Sequence, residues 1–318
     1  MQATLEQLDA AAEEVYAVMG PTLQHSWPLL SERCGCEVWV KHENHTPIGA
    51  FKVRGGIVYM RDLVARGDVT GVISATRGNH GQSIGMAARA AGIAATIVVP
   101  EGNSREKNAA MAALGVDLVV HGPDFDAARD HAVALAAEKG LSMVPAFHPL
   151  LVRGVASYSL EFLRAVAGLD TVYVPIGQGS GICGMIAARD ALGLTLDIVG
   201  VVSERAPAYA LAFETGQDTV TNSADTFADG VACRATDPAA LSIIRRGAAR
   251  IVTVSEDEIE AAIRAYYTDT HNLAEGAGAV PLAALLQEKT AMAGKRVGLV
   301  LSGGNIDMDV YGGILSRA

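Results

Sequence analysis

The stretch Thr171-Val172-Tyr173-Val174-Pro175-Ile176-Gly177-Gln178-Gly179-Ser180-Gly181-Ile182-Cys183-Gly184 decides the fold. Its first six residues are apolar and β-prone without alternation, the pattern of a strand covered on both faces in a parallel sheet. The glycines that follow let the backbone turn and converge several N–H groups at the start of a helix near Ile182. Unpaired amides and the positive end of a helix dipole then act at one point, which suits a phosphate dianion.

Similar runs recur along the chain: Glu37 to Lys41, Gly71 to Ala75, Ala94 to Val99, Asp117 to His121, Asp197 to Val202, Arg250 to Val254 and Val297 to Leu301. Alanine-rich helical stretches separate them, so the expected class is α/β, with two open twisted parallel sheets covered by helices on both faces. Helix starts are marked by Ser104, by Asp124 and by the capping box Ser255-Glu256-Asp257-Glu258. Ligands of open parallel sheets collect beyond the carboxyl ends of the strands. Three loops there stand out: Thr76-Arg77-Gly78-Asn79-His80-Gly81-Gln82, Gly177 to Gly181, and Ser302-Gly303-Gly304-Asn305.

Two readings of the glycine loop compete. Gly179-Ser180-Gly181-Ile182-Cys183-Gly184 fits the dinucleotide fingerprint, with Glu204 where a ribose-binding acid would stand, so a nucleotide-dependent dehydrogenase is one alternative. The other is a phosphate cradle of a different cofactor. Lys52 bears on the choice, because it stands among apolar and glycine neighbours in Ile48-Gly49-Ala50-Phe51-Lys52-Val53-Arg54-Gly55-Gly56. Either it is a solvated lysine at a helix start, or burial disfavours its charge and keeps the amine nucleophilic, as a Schiff-base lysine requires.

Composition narrows the functional classes. Half of the 318 residues are hydrophobic and 19% are charged, enough for a large core. The net charge of −10 disfavours nucleic acid and anionic membrane surfaces as partners. Cys34, Cys36, Cys183 and Cys233 are too scattered for a disulfide scaffold or a zinc site and read as reduced thiols. The acidic N-terminus lacks the charge pattern of a secretory signal, and no apolar run is long enough to span a bilayer, so the expected location is cytoplasmic.

Taken together, Phe51-Lys52-Val53-Arg54-Gly55, Gly78-Asn79-His80-Gly81-Gln82, Gly177 to Gly181, Glu275-Gly276-Ala277-Gly278-Ala279 and Ser302-Gly303-Gly304-Asn305 resemble the serine/threonine dehydratase and serine racemase family, pyridoxal-phosphate enzymes of fold type II. The resemblance implies the cofactor pyridoxal 5'-phosphate in a cleft between two domains. The larger comprises residues 1–69 and 146–318, and the smaller, 70–145, is inserted in it. It assigns the cofactor's amine anchor and the base for the α-proton to Lys52, with Phe51 beside it. The phosphate falls to Gly177, Gln178, Gly179, Ser180 and Gly181, the ring hydroxyl to Asn79, the ring nitrogen to Ser302, and the ring's surroundings to Glu275. Thr76, Arg77 and His80 fall on the substrate-binding loop. The implied activity is ammonia-lyase: a 3-hydroxy amino acid of threonine or serine type loses water and yields a 2-oxo acid and ammonia. Racemisation, or the same elimination on 3-hydroxyaspartate or 3-phenylserine, is the alternative. A serine beside the ring nitrogen holds it protonated less well than an aspartate, which favours elimination over transamination. The implied assembly is a homodimer.

The chain departs from the family at several places. Arg77 replaces a small residue; it is no base at neutral pH, which disfavours two-base racemisation, and its guanidinium either binds a carboxylate or pairs structurally. The segment Phe147 to Gly154 is expected as a loop beside the substrate side chain, apolar and short of acidic and amide groups. Val202 and Ala208 stand where a metal site would carry ligands, so no metal is expected. The chain ends at Ala318, so a C-terminal regulatory domain is not expected.

Overall fold

The computed structural model describes residues 3–67 and 69–317. Its strands are β1 (Gln24–Ser26), β2 (Glu37–His42), β3 (Val72–Ala75), β4 (Ala95–Val99), β5 (Asp117–Val120), β6 (Ser142–Met143), β7 (Thr171–Pro175), β8 (Asp197–Ser203), β9 (Arg250–Val254) and β10 (Arg296–Leu301). They form a six-stranded sheet in the order β1-β2-β10-β7-β8-β9 and a four-stranded sheet in the order β5-β4-β3-β6. Every neighbouring pair is parallel except β1 and β2, so the larger sheet is mixed at one edge. The short β1 (Gln24-His25-Ser26) and β6 lie outside the expected runs because neither carries an apolar pattern.

In β7 the side chains alternate between two packed layers. Val172 and Val174 join Phe162, Ile182 and Ile186 on one face, and Tyr173 joins Val199, Ile263 and Leu282 on the other. The smaller sheet is covered likewise, by Ile84 and Met111 on one side and by Ala128 and Ala132 on the other. Helices on both faces explain why these strands are uniformly apolar.

Two expectations change. The helix after the glycine loop spans Ser180–Ala191 and so starts at Ser180 rather than near Ile182. Pro149 to Gly154 is not a loop: it opens the helix Pro149–Ala165, with Pro149 at its first turn, where a missing N–H costs nothing, and His148 accepting from Leu150 N. A Cβ on Gly154 would lie 2.3 Å from the Arg54 carbonyl oxygen, so this helix packs directly on the helix Lys52–Ala65.

Between these two helices lies a buried ion cluster. Arg54 forks onto Glu43 (2.7 and 3.0 Å) and reaches Glu161 (2.6 Å), and Lys41 closes on Glu161 at 2.5 Å. Two cations face two carboxylates, and Ser157 and Thr22 complete the hydrogen bonding. Burial alone would raise the Glu161 pKa, but Arg54 and Lys41 hold it below the usual carboxylate range.

Candidate active site

Parallel pairing sets the ends of β7 and β10 side by side, and the loop after β3, from the other sheet, meets the loop after β10 where Asn305 bonds Asn79, so the three unusual loops border one cleft. Lys52 opens the helix Lys52–Ala65, and its position is fixed from both sides. Phe51 N donates to the Ser302 carbonyl (3.0 Å) and Gly304 N to the Gly49 carbonyl (2.9 Å), while Ser83 Oγ donates to the Lys52 carbonyl at 2.6 Å. The Lys52 Nζ sits 5.0 Å from the Phe51 ring centroid. Burial pushes its pKa below the ordinary lysine value against the pull of Cys233 and Glu275, which makes the neutral amine more accessible than in a solvated lysine.

The glycine loop is built for a close approach. Gly179 has φ 94°, which only glycine adopts without strain, and caps the helix Ser180–Ala191 with no side-chain hydrogen bond. A Cβ on Gly177 would lie 2.1 Å from the Gly230 carbonyl oxygen. Gln178 Nε2 lies 3.1 Å from Cys233 Sγ, and the Gly181 carbonyl accepts from the buried Tyr158 hydroxyl (3.2 Å), whose ring meets Phe51 edge-on. The free amides at the Ser180 helix start fit a phosphate.

Asn79, Glu275 and Asn305 form a linked wall. Asn79 Nδ2 donates to Glu275 Oε1 (2.6 Å), and Asn79 Oδ1 accepts from Asn305 Nδ2 (2.8 Å). One Asn79 N–H remains for a ligand. Glu275, the N-cap residue of the helix Gly276–Gln287, is buried, and burial raises its pKa despite Lys107 and Asn79. Its Oε2 lies 3.3 Å from Lys107 Nζ without hydrogen-bond geometry. Lys107 also bonds Asp229 Oδ2 (3.2 Å), and these two partners hold its pKa up against burial.

The substrate-loop residues gather beside this wall. Thr76 is buried, and its Oγ1 accepts from Gly78 N at 3.0 Å. The helix Asn79–Ala91 begins without a side-chain cap, leaving first-turn N–H groups free for an anion. His80 is buried with Nε2 unpartnered, and burial, with Lys52 nearby, lowers its pKa to about 3. Arg77 reaches Asp229 at 3.4 Å. Ser302 is buried, and its carbonyl is the one that accepts from Phe51 N. All thirteen residues singled out above therefore lie on the three loops or on the Lys52 and Glu275 helix starts. Sequence reasoning missed Lys107, Asp229 and Asn305 as partners, although Asn305 stands in a motif it quoted.

At the end of β8, where metal ligands were not expected, Glu256 accepts from Ser203 Oγ (2.8 Å), Thr226 Oγ1 (2.7 Å) and Phe227 N (3.1 Å). Glu204 lines a separate surface pocket with Arg205 and Thr221.

The fold and site define an enzyme of the two-sheet α/β class with an amine and two helix N-termini facing one cleft. A family profile described as pyridoxal-phosphate dependent enzyme matches residues 15–303. The chain is 36% identical over 289 residues to an L-threonine ammonia-lyase of Geobacter sulfurreducens, covering 90% of this chain and 72% of the relative. It is 32% identical over 296 residues to a biosynthetic L-threonine dehydratase of Haemophilus influenzae, covering 92% of this chain and 58% of that longer relative. The solved threonine deaminase isoform 2 of Solanum lycopersicum, in its processed form, superposes with a TM-score of 0.91 at 28% identity, covering 100% of this chain and 95% of the other. The chain belongs to the pyridoxal-phosphate-dependent enzymes, in the serine/threonine dehydratase group, and its cofactor is pyridoxal phosphate. The unpartnered buried His80 Nε2, the amine of Lys52 and the uncapped Ser180 helix suit that cofactor.

Proposed function

We propose that this protein is an ammonia-lyase that converts an L-3-hydroxy amino acid of threonine or serine type to a 2-oxo acid and ammonia. The observation that carries it is the placement of the Lys52 amine, whose pKa burial lowers, beside uncapped helix starts at Asn79 and Ser180. Pyridoxal phosphate, when bound, supplies the electron-withdrawing ring that takes up the charge left by the α-proton. The residues Gly177, Gln178, Gly179, Ser180 and Gly181 would hold its phosphate, Asn79 the ring hydroxyl, Ser302 the ring nitrogen, and Phe51 and Glu275 the ring's flanks. Lys52 would hold the cofactor's aldehyde carbon, and its amine, kept within reach of the substrate's α-carbon, would take the α-proton, which proximity makes efficient. Thr76, Arg77 and His80 belong to the substrate's side of the cleft, where the Asn79 helix start offers amides to the α-carboxylate.

Residues 70–145, which carry the four-stranded sheet, are proposed as the small domain inserted in the larger one of residues 1–69 and 146–318. The four free cysteines accord with a reducing, cytoplasmic compartment. A homodimer accompanies the same proposal, and light scattering of the purified enzyme tests it. The decisive experiment is Lys52→Ala: the visible absorbance of the reconstituted enzyme and its release of 2-oxo acid should both vanish. Full turnover in that variant would sink the assignment.

A further inference from the structure

Two helix starts in the cleft serve the two anions that the proposed lyase chemistry requires, and one cation is left without a task. The Ser180 helix takes a phosphate and the Asn79 helix an α-carboxylate. Arg77, at the end of β3, comes from the smaller sheet's side and meets Asp229 on the opposite wall. That contact is 3.4 Å long through one terminal nitrogen, while its Nε is buried with no partner. The guanidinium fork is thus largely unspent, and the side chain is 40% exposed. Asp229 does not need it, because Lys107 bonds the other carboxylate oxygen at 3.2 Å. The neighbouring Arg234, by contrast, is occupied by Asp126 at 3.0 Å. Lys107 is taken up by both carboxylates, Asp229 at 3.2 Å and Glu275 at 3.3 Å, whereas Arg77 has only its 3.4 Å contact with Asp229.

A planar fork with free donors is the group that binds a carboxylate through two parallel hydrogen bonds. We propose that Arg77 receives a second, side-chain carboxylate, so that the substrate is a 3-hydroxy dicarboxylic amino acid, 3-hydroxyaspartate being the shortest, rather than threonine. This rests on the ammonia-lyase reading of the site. Elimination breaks the Cα–H and Cβ–O bonds and forms a Cα=Cβ bond. The water lost is regained when the resulting imine is hydrolysed, so the balance is one ammonia and one 2-oxo dicarboxylic acid, with no oxidant or reductant.

Two measurements on the enzyme reconstituted with pyridoxal phosphate test the idea separately from the lyase reading. In the first, ammonia and 2-oxo acid release is compared for the stereoisomers of 3-hydroxyaspartate and for L-threonine. One hydroxyaspartate isomer should have the higher kcat/KM, and Arg77→Ala should lower the hydroxyaspartate-to-threonine ratio by about a hundredfold or more, as loss of a bidentate charged contact implies. Arg77→Lys should recover part of that ratio. In the second, L-aspartate, which has no β-leaving group, is titrated against the visible spectrum. It should bind more tightly than L-alanine, and Arg77→Ala should remove the advantage. Equal losses for aspartate and alanine in Arg77→Ala would overturn the proposal and assign Arg77 to the α-carboxylate or to Asp229. If no 3-hydroxy amino acid is turned over but aspartate binding still depends on Arg77, the lyase reading fails and the carboxylate site stands.

Discussion

Arg54 is fully buried two residues after Lys52, and its charge is tolerable only because Glu43 and Glu161 surround it. Replacing one member of such a cluster leaves a buried charge uncompensated, which costs about 3–5 kcal/mol. Arg54→Met should therefore lower the free energy of unfolding by that order, read from the denaturant midpoint. Adding Glu43→Gln should return part of the loss, because it removes the carboxylate left unpaired. A double variant no more stable than Arg54→Met would show that the loss arises from packing and not from charge. The cluster also bears on the chemistry: it fixes the first turn of the Lys52 helix against the helix Pro149–Ala165, and hence the direction from which the Lys52 amine enters the cleft.

At the scale of elements, the cleft is a meeting of helix starts, and glycine decides how closely they approach a ligand. Gly179→Ala would force a left-handed backbone on a residue with a Cβ and press that Cβ to 2.8 Å from Ala240 Cβ. Its affinity for pyridoxal phosphate, followed by visible titration, should fall about tenfold or more. Gly193→Ala is the control, since Gly193 also has a positive φ (65°) but nothing within 4 Å. It should cost about 1 kcal/mol of stability and leave cofactor affinity unaltered. The strands and glycine loops are legible in the sequence because each depends on neighbours in the chain: β7 and the loop after it can be read from one fourteen-residue stretch. Lys107 is not legible in that way. In Arg105-Glu106-Lys107-Asn108 it looks like a solvated helical lysine, and its partners Asp229 and Glu275 lie far along the chain. The same holds for Pro149 to Gly154, whose Pro and Gly suggest a loop until the Lys52 helix is seen packed on them.

Across the whole molecule, the two sheet layers are joined at the cleft's rim by helices that cap one another. Asp307, ahead of the helix Met308–Ser316, accepts from Ser104 Oγ (2.5 Å) and from Arg105 N and Glu106 N (each 3.3 Å) at the start of the helix Arg105–Ala113. Glu106 in return accepts from Met308 N at 2.8 Å. Asp307→Ala should cost about 1–2 kcal/mol, as loss of a helix cap does, and hydrogen exchange should speed first in the Arg105 helix. Acid acts on the molecule in two stages. His42, which accepts from Trp27 Nε1 at 3.0 Å, and His80 both have pKa values lowered to about 3 by burial, with His45 and Lys52 respectively as the next contributors. For a base, a folded value below the unfolded one means that only the unfolded chain takes the proton. Stability is therefore lost as pH falls from about 6.5 towards 3, at up to about 1.4 kcal/mol per pH unit for each histidine. Asp307 works in a lower window. Burial would raise its pKa, but Ser104 and the two amides hold it below the usual value, so its contribution is present above about pH 4 and lost below. The midpoint of thermal unfolding should thus decline from pH 6.5 downward in the wild type, and His42→Gln should flatten that decline without altering the drop below pH 4. An unchanged slope between pH 6 and 4 in His42→Gln would mean that His42 is not held neutral in the folded protein.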